Sequence, residues 1–409
     1  MSARVRQGST TFIFITVLLD TLGIGLIIPV GPQLVASFLD GDLGRAAHVF
    51  GILFSVYSTM QFFFAPILGG LSDRFGRRGV ILPSLVGAAT SYVLSGLAPT
   101  LAWLFVGRII AGATGASFSA ANAYVADVTP PQKRAAAFGV IGAAFGLGFI
   151  LGPAIGGILG DRGLRIPYFV AAGLNFLNFL YGLFVLPESL PLESRRPFTL
   201  ARANPFVSLV NLGRHPIVLG LTGTLTATYL AQMILQSVWA LSGQARFGWT
   251  PQSVGLSLMA VGLSTAIVQG ALVRMVIARL GERRALLLGL AMSVAGQVGF
   301  GFATRGWMMY AMILPFCLGG LAGPATQALI TTEVGPTEQG EVQGSLNSLA
   351  GVMAVVGPLL GTALFARFGT DAARPHVPGA PFLASACFLV VGWWLAARLF
   401  AKTPARADA

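Results

Sequence analysis

The chain has 409 residues, of which 55% are apolar and only 10% are charged, and its mean hydropathy is +0.77. A water-soluble protein of this length carries about a quarter charged residues, so the composition excludes an ordinary soluble domain. The net charge of +12 does not indicate a nucleic-acid partner, because the cations fall mainly in short segments between apolar stretches.

Apolar stretches long enough to cross a bilayer recur along the whole chain, and each crossing needs ~20 such residues. Hydropathy predicts spans in the first half at 10–36, 48–71, 79–98, 101–125, 135–160 and 166–187. The second half has predicted spans at 215–243, 251–274, 284–303, 306–332, 341–365 and 380–400. We therefore expect an all-α polytopic membrane protein with twelve transmembrane helices.

The basic residues are unevenly distributed about these spans. The loops and tails on the side of the termini hold 17 of the 26 Lys and Arg residues, and the opposite loops hold seven. The positive-inside rule then places both termini in the cytoplasm, with the chain in the cell inner membrane. The apolar stretch after the basic N-terminus is too long for a signal peptide and is expected to remain as the first span.

A polar, proline-broken segment divides the chain into two halves. We predict an N-terminal bundle at 1–187, a cytoplasmic loop at 188–214 and a C-terminal bundle at 215–409, each bundle with six helices. The halves repeat each other, since Gly152-Pro153 recurs 205 residues later at Gly357-Pro358. Such duplication predicts two pseudo-symmetric bundles that rock about a binding site near the midplane.

The loop after the second span has a distinctive sequence, Gly69-Gly-Leu-Ser-Asp-Arg-Phe-Gly-Arg-Arg78. Glycines permit tight turns at helix ends, and Asp73 is suited to cap the N-terminus of a facing helix. The three arginines, Arg74, Arg77 and Arg78, stay at the inner surface. Their alternative role is simply to anchor the topology, although an anchor needs neither the acid nor the glycine spacing.

Two charged residues lie inside predicted spans. Arg108 is about seven residues into span 4, where an unpaired Arg costs at least ~2.5 kcal/mol, so we interpret it as functional. The alternative is an Arg bonded to backbone carbonyls. Asp20 in span 1 is the only acid deep in a predicted span. A low dielectric favours the protonated form of this carboxyl group, so we interpret it as the leading proton carrier. Alternatively, it forms a permanent ion pair with Arg108 or a hydrogen bond that packs two helices.

Span 5 contains the pattern Gly146-Leu-Gly-Phe-Ile-Leu-Gly-Pro-Ala-Ile-Gly-Gly157. Small residues three and four positions apart permit close helix packing, and the Gly-Pro pair permits a bend. The residues that define this pattern are Gly148, Gly152, Pro153, Gly156 and Gly157.

These motifs together resemble the major facilitator superfamily. The resemblance implies that the loop after span 2 forms a charge cluster in which Asp73 and Arg77 meet Asp127 at the end of span 4, closing one state of the transporter. Gly69, Arg74, Gly76 and Arg78 belong to the same signature. The family also links the Arg at position 108 to proton handling. By the same resemblance, the span 5 pattern is the antiporter signature of exporters.

Within that superfamily the chain is most similar to bacterial tetracycline/proton antiporters. Supporting stretches include Gln61-Phe-Phe-Phe-Ala-Pro66 and Gln339-Gly-Glu-Val-Gln-Gly344. Three ionisable residues expected from that group are replaced by Ser91, by Thr265 or its neighbour, and by Ser293. These departures argue against tetracycline as the substrate.

A set of polar and aromatic residues within spans is expected to line a substrate cavity, although each can instead bond a neighbouring helix. The set consists of Gln61, Asn122, Tyr229, Gln232, Gln236, Trp239, Gln269 and Gln327. Its chemistry predicts a neutral or weakly charged, partly aromatic substrate.

The function predicted is export of a small amphipathic or aromatic molecule in exchange for protons, by a monomer in the lipid bilayer without cofactor or metal. The alternative is a metabolite or lipid-like exporter or facilitator with weak or no proton coupling. An enzyme is disfavoured, because His48, His215 and His376 lie at span ends or loops without metal spacing. Cys317 and Cys387, without metal spacing, are expected to be small core residues.

Overall fold

The computed structural model describes residues 3–115, 117–195, 197–198, 216–334, 338–371 and 373–402, and in these ranges it is helical without β-strands. The first half contains α1 (Ala3–Ile27), α2 (Gly31–Ser37), α3 (Leu43–Phe75), α4 (Arg78–Leu97), α5 (Leu101–Thr114), α6 (Ser117–Val128), α7 (Arg134–Arg162) and α8 (Ile166–Val185). The second half contains α9 (Pro216–Phe247), α10 (Pro251–Ile267), α11 (Val273–Phe302), α12 (Gly306–Leu318), α13 (Ala322–Glu333), α14 (Gln339–Phe368) and α15 (Ala380–Lys402).

Nine helices in the described ranges are long and apolar enough to span a membrane, or ten if α1 and α2, bent by 42°, form one span. One of the nine runs over 52 residues, Pro251–Phe302. A single helix of that length would extend ~78 Å, far beyond the ~30 Å of a bilayer core. It is interrupted at Gly281, whose φ of 74° is readily accessible only to glycine. When α1 with α2 is counted as one span, this long helix as two and α5 with α6 as one, the described helices match the twelve predicted segments.

The described residues group into two compact units. Unit 1 comprises Met1–Gly41, Val56–Asn204 and Thr250–Met259; unit 2 comprises Asp42–Ser55, Pro205–Trp249 and Ala260–Ala409. Helices α3 and α10 therefore each contribute to both units. Most of the predicted 188–214 loop lies outside the described residues, so the division of the chain at that loop stays a prediction.

Each unit has its own apolar core. In unit 1 the buried side chains come from α1, α4, α6 and α7 and include Phe12, Ile13, Ile81, Leu85 and Tyr124. In unit 2 they come from α9, α11, α14 and α15, among other helices, and include Leu221, Leu286, Leu290, Leu346 and Leu389.

The outer surfaces of the helices remain apolar. Along α7, Leu147, Leu151, Ile155 and Ile158 form a stripe in which each residue is 41–44% exposed. A stripe of this kind is unfavourable in water but suits contact with lipid, because a helix in a bilayer is apolar on all sides. The prediction that both cysteines are core residues is half wrong, since Cys317 is buried whereas Cys387 is exposed on α15. Hydropathy alone does not distinguish a lipid-facing position from a core position.

Candidate functional site

An ion cluster lies in unit 1 where α3 ends and α4 begins. The guanidinium of Arg77 donates from Nη1 to Asp73 Oδ1 at 2.6 Å and from Nε to Asp127 Oδ2 at 2.9 Å. Nη1 also donates to Ser72 Oγ at 3.1 Å. The planar guanidinium presents several donors at once, so one Arg can hold two carboxylates from different helices. The structure thus brings together the three residues that the loop signature singled out.

Electrostatics keep Arg77 charged within this cluster. Burial alone would lower the pKa of Arg77, but the hydrogen bonds and charges of Asp127 and Asp73 outweigh it, so the pKa of Arg77 lies above its usual value. A raised pKa contributes stability that is fully present below the unfolded-state pKa and is lost as the pH rises through the folded-state pKa. Arg77 therefore remains cationic at physiological pH.

Sequence reasoning missed a third acid at the same place, Glu188, which lies just after α8. Its Oε1 accepts hydrogen bonds from the backbone N–H of Arg77 at 2.8 Å, and its Oε2 from that of Arg78 at 3.3 Å. Glu188 thereby caps the N-terminus of α4, where the helix dipole favours an anion. The neighbouring Ser189 donates from Oγ to Asp127 at 3.2 Å. The sequence signal was only a single acid after an apolar span, more than a hundred positions from the helix that it caps.

The remaining residues of the loop signature have different surroundings. Gly76 has a φ of 100°, and a Cβ there would collide with the Glu188 carboxylate, so the turn requires glycine. By contrast, a Cβ on Gly69 would meet open space. Arg74 is exposed and lies 5.0 Å above the Phe75 ring. Arg78 donates to the carbonyl of Leu183 at 2.7 Å.

Asp20 and Arg108 lie within one polar cluster of unit 1. Both are half-buried, and both exert their charge on the phenol groups of Tyr57 and Tyr92. Arg108 also lies beside the hydroxyl group of Tyr168. The cluster thus places a carboxyl group and a guanidinium among phenol hydroxyl groups that can both donate and accept hydrogen bonds.

Three glycines of α7 pack directly against α1, the helix that carries Asp20. A Cβ on Gly148 would lie 2.7 Å from Thr21 Cβ, and one on Gly152 would lie 2.8 Å from Gly25 Cα. A Cβ on Gly156 would collide with the backbone of Leu26. The same arrangement recurs in unit 2, where a Cβ on Gly361 of α14 would lie 3.1 Å from the Cα of Ile234 on α9. The Gly-Pro helix of each half therefore packs on the first helix of that half.

Pro153 and Gly157 have another neighbour, the start of α10. The carbonyl of Pro153 lies against Gly255, and a Cβ on Gly157 would lie 2.5 Å from the Pro251 carbonyl oxygen. The signature helix α7 thus has two packing faces.

The predicted cavity residues in unit 1 have mixed surroundings. Gln61 Nε2 lies 3.3 Å from both the Tyr57 hydroxyl and the Gly115 carbonyl, so its amide bonds neighbouring groups. Its contact with Tyr57 places it next to the Asp20 and Arg108 cluster. Asn122 is half-buried on α6.

The predicted cavity residues in unit 2 do not form one group. Trp239 is only 4% exposed and packs edge-on against Phe300 at 5.1 Å, so its ring is part of the core. Tyr229 packs against the apolar core of this unit. On α9, Gln232 is half-buried and Gln236 is exposed.

Gln327 and Gln269 lie at irregular or open places in unit 2. Gln327 donates to Gln343 Oε1 at 3.0 Å, and both line a cavity of about 250 Å³ between the end of α13 and the start of α14. Gln269 is exposed within a π-helical turn, Val268–Leu272, that joins α10 to α11. Single π-turns occur often at functional sites, and no residue pattern in this sequence predicted one.

The three positions that depart from the antiporter pattern are used for packing. Ser91 is 2% exposed and donates to the Ala88 carbonyl at 2.7 Å. Thr265 Oγ1 lies 3.4 Å from Cys317 Sγ. A Cβ on Gly319 would collide with the Ser293 side chain. An ionised group at any of these positions would need a partner that this packing does not supply.

Comparisons with known proteins agree with this architecture. The sequence matches the Major Facilitator Superfamily over residues 13–276 and 226–409. It is 41% identical over 351 residues to the class C tetracycline resistance protein of Escherichia coli, covering 86% of this chain and 88% of that protein. It is 39% identical over 364 residues to the class G tetracycline resistance protein of Vibrio anguillarum, and the match covers 88% of this chain and 91% of that protein.

Among solved structures, the human organic anion transporter MFSD10 superposes with a TM-score of 0.70 at 25% identity, covering 97% of this chain and 100% of that one. The predicted all-helical fold, the family resemblance and the prediction of a transporter rather than an enzyme are confirmed. The chain belongs to the major facilitator superfamily and is a secondary active transporter.

Proposed function

We propose that this transporter exports a small amphipathic or aromatic molecule in exchange for protons, by alternating access. The observation that carries the proposal is the cluster around Asp20, in which Asp20 and Arg108 both act electrostatically on the phenol groups of Tyr57 and Tyr92. The tetracycline resistance proteins named above support export, since resistance to a drug follows when the drug is removed from the cell. The protein acts as a monomer in the inner membrane, with both termini in the cytoplasm.

Asp20 is the proton carrier in this proposal. A carboxyl group surrounded by low dielectric gains more from protonation than one in water, and a nearby Arg stabilises its ionised form. Movement of Arg108 relative to Asp20 during the cycle therefore changes the proton affinity of Asp20. Because α7 packs against α1 through Gly148 and Gly152, a bend of the Gly-Pro helix moves the backbone around Asp20.

The ion cluster of Arg77 with Asp73 and Asp127 is the conformational latch in this proposal. It connects the end of α3 to the end of α6, and Glu188 adds the segment after α8 through its bond to the Arg77 amide. An ion cluster that forms in one conformation and breaks in another slows exchange between them without contacting substrate.

The substrate in this proposal is neutral or weakly charged. Ser91, Thr265 and Ser293 occupy positions where the antiporter resemblance predicts ionisable groups, and each is engaged in helix packing. The amides of Gln61, Gln327 and Gln343 offer neutral hydrogen bonds instead. Neutral amide groups of this kind would add little binding free energy for a charged metal complex.

The packing at Ser91 and Ser293 also favours a second candidate, an exporter of metabolites or lipid-like molecules with weak or no proton coupling. The test uses purified protein in proteoliposomes. A thermal-shift screen that includes tetracycline first identifies a ligand, because ligands that bind the native state raise its apparent stability. Uptake of that ligand is then measured with an imposed pH gradient and after its collapse. Flux that needs the gradient supports antiport, whereas unchanged flux after collapse contradicts it and favours the second candidate.

A further inference from the structure

The last turn of α7 carries an acid that the antiporter signature does not include. Asp161 follows the second packing face of this helix, where Gly157 and Gly160 lie against the first residue of α10. A Cβ on Gly160 would lie 2.9 Å from Pro251 Cβ, and one on Gly157 would lie 2.9 Å from Gln252 Cα. The absence of side chains on this face lets the two backbones approach, and the approach brings Asp161 to the N-terminus of α10.

Asp161 caps α10 from outside the helix. Its Oδ1 accepts a hydrogen bond from the Gln252 N–H at 3.1 Å, and its Oδ2 accepts one from the Thr250 hydroxyl at 3.1 Å. Pro251 has no N–H, so Gln252 offers the first free amide of the helix. The helix's own cap, from Ser253 N–H to Thr250 Oγ1, is long at 3.4 Å. The N-terminus of α10 therefore depends on a carboxylate supplied by α7.

The other half of the internal repeat makes the same backbone contact without this cap. Gly255 of α10 lies against the carbonyl of Pro153. In the same way, Gly51 of α3 lies against the carbonyl of Pro358, and a Cβ on Gly51 would lie 3.2 Å from that carbonyl oxygen. The glycines are 204 residues apart and the prolines 205, as the duplication requires. The position equivalent to Asp161 is Ala366.

Helix α3 is capped within its own segment. Asp42 Oδ1 accepts hydrogen bonds from the Gly44 N–H at 2.9 Å and the Arg45 N–H at 3.0 Å. This cap stays with α3 whether or not the helix contacts α14. The two repeat-related contacts thus share their glycine packing and differ in whether the cap comes from the partner helix.

We propose that Asp161 is a positioning residue of the transport cycle, a cap that α10 loses whenever it separates from α7. Separation of α10 from α7 leaves the Gln252 amide and the Thr250 hydroxyl without this partner, whereas separation of α3 from α14 leaves the Asp42 cap intact. Separation at the α7–α10 contact therefore costs a cap that separation at the α3–α14 contact does not, and Asp161 favours the state in which α7 and α10 are in contact. Because α10 leads into the π-turn that contains Gln269, Asp161 connects α7 to that turn through α10.

The proposal rests on alternating access, but its test needs neither a substrate nor a proton gradient. Purified protein with Cys317→Ser and Cys387→Ser, reconstituted in nanodiscs, is given a single cysteine by Ser253→Cys on α10 or by Val49→Cys on α3. Both positions are half-buried beside the two contacts. The rate of alkylation by a maleimide that reaches both faces is measured, with and without Asp161→Ala.

Asp161→Ala is expected to raise the alkylation rate at Ser253→Cys by about fivefold, the effect on an equilibrium of losing a typical helix cap, and to leave the rate at Val49→Cys unchanged. Asp161→Asn, whose amide oxygen still accepts a hydrogen bond, should stay within about twofold of the parent. An unchanged rate at Ser253→Cys, or an equal rise at both positions, would overturn the proposal.

Thr250→Val keeps the proposal testable if Asp161→Ala does not fold. It removes the Thr250 hydroxyl and leaves Asp161 with the Gln252 amide, so a smaller rise of about twofold is expected at Ser253→Cys. A parent-like rate in Thr250→Val would contradict a role for the cap. Failure of proton coupling in the proteoliposome test would leave these alkylation rates unaffected, so the two proposals can fail separately.

Discussion

Glu188 accepts a hydrogen bond of 2.8 Å from the backbone N–H of Arg77, while the side chain of the same arginine joins Asp73 to Asp127. One residue is therefore held through its backbone by the segment after α8 and through its guanidinium by α3 and α6. The two bonds are linked, because the cap fixes the start of α4 and so fixes the point from which the Arg77 side chain extends. The proposed latch thus involves four chain segments and not only the signature loop.

Replacement of Glu188 should destabilise unit 1. In Glu188→Ala, the N–H groups of Arg77 and Arg78 lose their acceptor, and a lost N-cap typically costs about 1–2 kcal/mol. We expect a lower apparent melting temperature for the purified protein. Glu193→Ala is the control, because Glu193 is exposed in the same segment. Equal melting temperatures for the two variants would show that the cap contributes nothing to stability.

Replacement of Arg77 by Lys should slow the transport cycle while preserving ligand binding. A Lys ammonium keeps the charge but lacks the planar set of donors that reaches both Asp73 and Asp127. Loss of one charge-assisted hydrogen bond, worth about 1.5 kcal/mol, changes the conformational equilibrium by roughly tenfold. Transport rate and ligand affinity are measured separately on reconstituted Arg77→Lys.

Arg74→Lys is the matched control for that experiment, since Arg74 is exposed and lies above the Phe75 ring. It should transport at nearly the parent rate. A large loss of equilibrium affinity in Arg77→Lys would indicate that Arg77 contacts the ligand, and the latch would then be the wrong description.

The parts that sequence predicted well are those in which the signal is local. A span must bury about 20 consecutive residues, so hydropathy located all twelve segments. The Asp73 and Arg77 contact spans only four positions, and the loop sequence indicated it directly. Glu188 and Asp161 were missed because their partners lie 111 and 91 positions away, and no periodicity connects such residues. Their roles depend on how helices pack, which a single sequence does not specify.

The irregular turn between α10 and α11 could not be predicted from the sequence either. The π-turn at Val268–Leu272 contains no proline, and its single glycine does not distinguish it from a regular helix. Trp239 fits a cavity by composition, but the structure packs its ring on Phe300. In a membrane protein both the core and the lipid surface are apolar, so polarity alone does not assign a face.

Close packing of α7 on α1 predicts a strong difference between two glycines of the same helix. A Cβ on Gly152 would lie 2.8 Å from Gly25 Cα, whereas one on Gly146 would meet nothing within 4 Å. Gly152→Ala should therefore lower stability by about 1–3 kcal/mol, the usual cost of overpacking. It should also reduce transport, because the displaced backbone carries Asp20.

Gly146→Ala provides the control, with unchanged or slightly higher stability because Ala favours helix by up to about 1 kcal/mol over Gly. Melting temperature and transport are measured for both variants. If the two variants have equal melting temperatures and transport rates, close packing of α1 on α7 contributes nothing to stability, and the packing role of the signature would be refuted.

Asp20→Asn tests proton coupling directly. Asn retains the size and hydrogen bonding of the acid but cannot exchange a proton. We expect gradient-driven flux to fall to background, while exchange of labelled for unlabelled ligand across the membrane continues, because exchange requires conformational cycling without net proton movement. Both fluxes are measured in proteoliposomes with the ligand found by thermal shift.

Asp371→Asn is the control for this loss of charge, since Asp371 is exposed near the C-terminal end of α14. It should leave both fluxes at the parent level. Full gradient-driven transport in Asp20→Asn would refute the carrier role, because no proton could then be moving on that side chain. Loss of exchange as well as driven flux would instead indicate that Asp20 is needed for cycling or for ligand binding, and the polar cluster with Arg108 would then have a structural role.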